Sequence, residues 1–209
     1  MKTTWNRFVL VMALATAPVL AQAEEAAGDD AKAPQMTAEM QAMMAAWQKA
    51  STPGAQQAQL VEHFAGNWTA RQSMWMDPAG EPSVAVGKAS TQALYGNRTV
   101  RMDFRSEAMG QPLEGTGYTG YDNTLGRYYS AWVDSMGTGM MLAYGDYDAA
   151  TRTYTFRAEM PDPMRPGAHT PIRNVIRIVD ADHHVFEMHE THDGKEARTM
   201  QIEYTRDAR

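Results

Sequence analysis

Residues 153–160 read TYTFRAEM, and a strict alternation runs through them: Tyr154, Phe156, Ala158 and Met160 fall on one side, Thr153, Thr155, Arg157 and Glu159 on the other. Successive side chains of an extended chain point to opposite faces, so a stretch of this kind buries one face and wets the other. The end of the chain repeats the pattern with Met200, Ile202 and Tyr204. About ten such runs follow Gly66, at roughly 67–76, 83–94, 98–108, 114–121, 127–134, 138–146, 153–160, 172–179, 184–191 and 197–206. Turn formers such as Asp122-Asn123, Asp148-Ala149-Ala150 and Asp193-Gly194 separate them, so chain neighbours pair as hairpins. A meander of that length tends to close, because closure removes its exposed edges. The prediction is an all-β fold, an up-and-down antiparallel β-barrel of about ten strands spanning residues 65–209.

Ahead of the barrel the composition changes twice. Residues 1–23 combine Lys2 and Arg7 with an apolar run from Phe8 to Ala21 and the small-x-small triplet Ala21-Gln22-Ala23, which reads as a signal peptide cleaved after Ala23. The apolar run is shorter than a bilayer requires and Pro18 interrupts it, so no membrane span is expected once it is removed. The location that follows is the periplasm or the exterior of the cell. Residues 24–36 are small and acidic, the composition of a disordered tail. Residues 37–64 predict one or two short helices, with Thr37 as N-cap. In the first of them Met40, Met43, Met44 and Trp47 recur at spacings of three and four, which marks them as an apolar face packed on the domain. The same helix offers a surface for self-association.

Charge and cysteine content narrow the chemistry. The signal holds two of the 19 Lys and Arg and none of the 25 Asp and Glu, leaving 17 basic against 25 acidic residues and a net charge of −8. Nucleic acid is therefore not a partner, since binding it needs clustered cations to displace counterions from phosphate. With no cysteine there is no disulfide, no thiolate nucleophile and no thiolate metal ligand. No Gly-x-Ser-x-Gly elbow and no Gly-rich phosphate loop is present, and the carboxylate pairs Asp122/Asp134 and Asp146/Asp148 sit where acids usually cap turns. No catalytic residue and no cofactor is assigned.

Two blocks carry a resemblance. Gly66-Asn67-Trp68 at the first strand resembles the Gly-x-Trp opening of the calycin superfamily, which includes the lipocalins. The run GTGYTGYDNTLGRYYSAWVDSMGTG, followed by GDYD and a terminal EYTR, is similar to the bacterial domain of unknown function 1579 family over about residues 58 to 207. The resemblance implies a lipocalin-like barrel and brings no established activity with it. It also implies that an arginine of the last strand, here Arg206, lies across the first-strand tryptophan, Trp68.

Within the same blocks, the glycines Gly115, Gly117 and Gly120 let the sheet bend or admit a bulky neighbour. In RYYSAWVDS one face holds Tyr128, Ser130, Trp132 and Asp134, the other Tyr129, Ala131 and Val133. The second is the plainer core face. The first, with an aromatic, a hydroxyl and a carboxylate, suits either a ligand cavity or an outer face beneath the helix or in solvent. As a ligand site it would use Trp132 as a flat contact, Asp134 as an acceptor, and Tyr121 folded over the barrel mouth.

Residues 183–192, HHVFEMHETH, raise the question of a metal. As a strand they put His184, Phe186, Met188, Glu190 and His192 on one face and His183, Val185, Glu187, His189 and Thr191 on the other, which divides the histidines. His183 and His184 fall in the connection DADHHV, where histidines are commonly exposed. The leading reading is a non-enzymatic barrel for a small, partly apolar ligand. Its rivals are a hydrolase or isomerase acting at the mouth, a metal or haem binder drawing on His184, Met188 and His189, and a barrel filled by its own side chains.

Overall fold

In a computed structural model, residues 36–108, 110–162 and 165–208 are described. The expected signal peptide and nearly all of the expected acidic tail lie outside them. Two helices, α1 (Ala38–Ser51) and α2 (Ala55–Phe64), precede ten strands: β1 (Gly66–Met74), β2 (Ser83–Leu94), β3 (Thr99–Ala108), β4 (Gln111–Asp122), β5 (Arg127–Asp134), β6 (Met141–Asp148), β7 (Thr153–Pro161), β8 (His169–Ile178), β9 (His183–His192) and β10 (Lys195–Arg206). Every strand pairs antiparallel with its chain neighbour, and β1 pairs with β10 to shut the barrel. The expected up-and-down barrel is therefore the fold. Its edges differ from expectation at β4, which starts at Gln111 instead of 114 because that residue pairs with Ala108, at β6, which starts at Met141 instead of 138 because Gly137 and Gly139 precede it, and at β8, which starts at His169 instead of 172 because that residue pairs with Pro161.

The alternation in TYTFRAEM works as read: Tyr154 and Phe156 are buried in the barrel, while Arg157 and Glu159 are exposed. Around them, Leu60 and Phe64 of α2 pack with Val100, Tyr128 and Ile178. Helix α2 thus plugs the end of the barrel at which β1 begins and β10 finishes. Gln57, almost wholly buried, fastens it by donating to Tyr121 O (3.0 Å) and to Asn123 Oδ1 (2.9 Å). His63 Nδ1 shares a hydrogen bond with the Tyr154 hydroxyl (2.9 Å), and Tyr128 donates to Gln59 Oε1 (3.1 Å). Desolvation between α2 and the sheet pushes the Tyr128 phenol up to about 12, so it remains a donor.

Helix α1 corrects the sequence reading. It buries no residue, and Met40, Met43, Met44 and Trp47 are all exposed. The barrel end has already been closed by α2, so no apolar surface is left for the stripe to cover. The C-terminal end of α1 is tied to the barrel: Asn123 donates to the carbonyls of Lys49, Ala50 and Thr52, and Arg98 to that of Ser51. Among the described residues no helix is long and apolar enough to cross a membrane.

Candidate functional site: the barrel interior

A cavity of about 370 Å³ occupies the barrel above α2. Phe64, Trp68, His184 and Tyr204 form its floor, and Gly137, Gly139 and Met140 of the β5–β6 connection lie at its other end with Met160 and Pro161. The volume is within the range of small-molecule sites, roughly 300–1,000 Å³. Between floor and mouth the walls are mainly Phe104, Phe186, Ile202 and the thioethers of Met102, Met188 and Met200.

One wall is built by the β4 glycines. Gly117 pairs with Trp132 and Gly115 with Asp134, so the Trp132 indole lies over both glycines on the inner face. A Cβ on Gly115 would fall 2.5 Å from Trp132 Cη2, and one on Gly117 3.1 Å from Cε3. Trp132 Nε1 donates to Asp134 Oδ2 (2.7 Å), which fixes the ring in its plane. The face Ser130, Trp132 and Asp134 is thus turned to the cavity, and the plainer face of Tyr129, Ala131 and Val133 is the outer one, with Val133 reaching the cavity only at its rim. Of the two readings open for the first face the structure takes the cavity one, and the plainer core candidate is the outer face. The cause is the pair of glycines opposite, which leaves room for an indole on the inside only.

Asp134 lies on the cavity wall as expected, with one oxygen taken by Trp132, whereas Tyr121 is not where it was expected. The second Asp134 oxygen accepts from the Met136 N–H (2.9 Å), so both oxygens already serve the chain itself. Tyr121 does not stand at the mouth. It packs edge-on against Tyr128 (4.9 Å between centroids) at the α2 end, because the β4–β5 turn is on that side of the barrel.

HHVFEMHETH forms β9 in full, and the faces divide as the period requires. His184, Phe186, Met188 and Glu190 line the cavity. His189 is turned outward, with Nε2 3.3 Å from Glu187 Oε2 and Nδ1 3.8 Å from Glu196 Oε1. The metal alternative of His184, Met188 and His189 therefore has its members on opposite sides of one strand. Among the described residues no group of three or more His, Asp or Glu is arranged to hold an ion.

His184 is the main surprise of this stretch. Expected in an exposed connection, it is only 6 % exposed, stacked on Tyr204 (4.4 Å) and edge-on to Trp68 (4.5 Å). Its Nδ1 is buried without a hydrogen-bond partner. Burial first, then the nearby charges of Arg206 and His63, lower its pKa from 6.5 to about 3. The imidazole is therefore neutral at the cavity floor. Two other buried polar side chains on the walls share this condition: Gln72 Oε1 on β1 and Asn174 Oδ1 on β8 also have no partner. Sequence reasoning passed over both. The available signal was their position, since Gln72 stands between Ala70 and Met74, and Asn174 between Ile172 and Ile176, on otherwise apolar faces.

A pH prediction follows from His184. Its folded pKa is below its unfolded one, so its contribution is complete above pH 6.5 and is lost as the pH falls toward 3. The unfolded chain takes up a proton that the folded chain refuses, which costs about 1.4 kcal/mol per pH unit below 6.5. Urea unfolding at pH 7 and pH 5 should show this loss, and His184→Phe should flatten the dependence by that amount. An unchanged slope in the variant would refute the assignment.

A family model described as protein of unknown function (DUF1579) matches residues 52–206. Among solved structures, Rv2717c from M. tuberculosis is 16 % identical with a TM-score of 0.55, covering 75 % of this chain and 100 % of its own. The S-type phycobiliprotein lyase CPES from Guillardia theta is 11 % identical with a TM-score of 0.51, covering 75 % and 99 %. At such identities both are likenesses of fold. A comparison with curated proteins gives no match.

Proposed function

We propose that this chain, which belongs to the DUF1579 family, holds a small, partly apolar ligand inside its barrel and carries out no reaction on it. The observation that supports this most directly is the cavity itself: about 370 Å³, plugged by α2 at one end, walled by aromatic and thioether side chains, with three buried polar side chains that each keep one atom without a hydrogen-bond partner. A barrel meant only as a structural unit would gain by filling that space, because unfilled volume and unpaired buried polar atoms both destabilise. Three of the four acids offered by the sequence as general acid–base pairs are otherwise engaged: Asp122 accepts from the Thr124 and Leu125 N–H groups, Asp134 from Trp132 Nε1 and the Met136 N–H, and Asp148 from Ala150 N–H and the Thr151 hydroxyl. We place the binding protein in the periplasm or outside the cell, after removal of residues 1–23.

Trp132 is the anchor of this reading. Its indole, held by Asp134 and backed by glycine, presents a flat apolar face to the cavity. Protein purified from its native envelope should release a small molecule on denaturation, identifiable by mass spectrometry. Trp132→Ala should bind that molecule at least tenfold more weakly, which corresponds to about 1.4 kcal/mol. Equal retention by the variant would remove the anchor from the proposal.

A further inference from the structure

The walls of the cavity are polar in one particular way. Among the described residues lining it there is no lysine or arginine, and its charged members are two carboxylates, Asp134 and Glu190. Glu190 accepts from His192 Nε2 (2.9 Å) and the Thr199 hydroxyl (3.0 Å). Beside the Thr91 hydroxyl, at 6 % exposure, the deeply buried polar groups on the cavity walls are two carboxamides and an imidazole, at 1 % exposure for Gln72, 4 % for Asn174 and 6 % for His184. Each contains an atom without a hydrogen-bond partner, and the amide nitrogens rest on sulfur, Gln72 Nε2 on Met74 Sδ (2.8 Å) and Asn174 Nδ2 on Met141 Sδ (3.9 Å). Thioether sulfur is a weak acceptor, so these amides have hydrogen-bonding capacity to spare. Their terminal torsions are broad, and a small rotation presents either oxygen or nitrogen to a neighbour.

The three groups lie on one side of the barrel. In sheet order β8, β9, β10 and β1 are contiguous, and they carry Asn174, His184 and Gln72. Pairing places His184 opposite Ile178, four residues along β8 from Asn174, so the polar seam extends about 13 Å between its ends. The opposite wall, from β3 to β5, is mainly apolar, with Phe104, Leu113 and the indole of Trp132 over its glycines; its polar members are the hydroxyls of Thr119 and Ser130 and the Asp134 carboxylate, which Trp132 and Met136 engage.

We infer that the cavity selects uncharged, flat molecules whose apolar body carries amide- or hydroxyl-type groups along one edge, and that it rejects carboxylates. The inference rests on the binding role proposed above and adds the class of ligand. An aromatic or conjugated plane lies against Trp132 while its polar edge meets the Gln72, His184 and Asn174 side. A carboxylate would enter past Asp134 and Glu190 and lose its hydration with no cation to replace it. The neutral state of His184 keeps the floor from supplying one.

Three probes of one size separate the possibilities by calorimetric titration of the whole protein: 2-naphthamide, 2-naphthoate and 2-ethylnaphthalene. The amide should bind at least about tenfold more tightly than the isosteric carboxylate, and more tightly than the hydrocarbon by a similar factor. Gln72→Leu and Asn174→Leu should each shrink the amide's advantage over the hydrocarbon while leaving the hydrocarbon's affinity in place. Each should also raise the melting temperature of the free protein, by about 3 °C, because an unpaired buried polar group has been removed. Naphthoate binding as tightly as naphthamide would overturn the selectivity and leave the cavity a binding site. Equal losses of amide and hydrocarbon in the leucine variants would overturn the role of the polar seam. Binding of none of the three would overturn both the ligand class and the binding role.

Discussion

Replacing Arg206 with alanine is expected to destabilise the protein by about 3 kcal/mol, seen as a fall of roughly 6–12 °C in melting temperature for a domain of this size. The guanidinium carbon lies 4.0 Å from the centroid of the Trp68 ring, which Nε1 in turn ties to Phe64 O (2.9 Å). Nε and Nη2 both donate to Ala181 O (3.1 and 3.0 Å), Nη1 donates to Ala65 O, and Asp182 Oδ1 is 3.3 Å away. One side chain thus joins the α2–β1 connection to the β8–β9 turn across the barrel end. Stacking contributes about 0.5–2 kcal/mol, and hydrogen bonds from a charged donor about 1.5–3 kcal/mol. Arg206→Lys should recover only part of the loss, since an ammonium lacks the planar fork that reaches both carbonyls. The adjoining Gly66 belongs to the same arrangement: its φ is 132°, and a Cβ there would fall 2.6 Å from Arg206 Nη1. An alanine variant within 1 kcal/mol of the parent would show that the fork matters less than its contacts suggest.

A single methyl group at Gly145 should cost about 3 kcal/mol or more. Gly145 sits in the middle of β6, paired with Tyr128 on one side and Phe156 on the other. A Cβ there would collide with Thr155 O and lie 2.8 Å from Phe156 Cα. These are backbone atoms of the adjacent strand, so relief requires β6 and β7 to separate beside the buried rings of Tyr154 and Phe156. Overpacking a tight interior ordinarily costs 1–3 kcal/mol, and here no flexible side chain can yield. Gly137→Ala is the natural control, with nothing within 4 Å of the added atom, and should change stability by no more than about 0.5 kcal/mol. Denaturant unfolding of the pair measures the difference, and similar midpoints would refute it.

The barrel was legible in the sequence because two local signals agree: alternation set the faces and turn residues set the hairpins. Tyr154, Phe156 and Ile202 were placed inside by parity alone. Parity does not say which of two faces is inside when both hold aromatics. In RYYSAWVDS the choice depends on the glycines of a different strand, and the contact between Gly115 and Trp132 is 17 positions apart in the chain. The methionine stripe of α1 shows the complementary limit. Spacing identifies an apolar helical face but not whether a partner surface is free, and α2 had taken it. His184 was misplaced because a histidine at a strand's first turn is usually wet, and only the packing of Tyr204 and Trp68 around it excludes water.

The pairing of β1 with β10 also dictates an order of events. Nine of the ten seams join strands that follow one another, so each forms across a short hairpin. The tenth brings together residues 138 positions apart, as in the Thr69–Asp207 hydrogen bond. Closing so long a loop costs about 2.5 kcal/mol more entropy than closing a turn of eight or so residues. The meander can therefore assemble progressively while its first strand waits, open-sided, for the last. A chain that stops before residue 195 has everything needed for nine strands and no means of becoming a container.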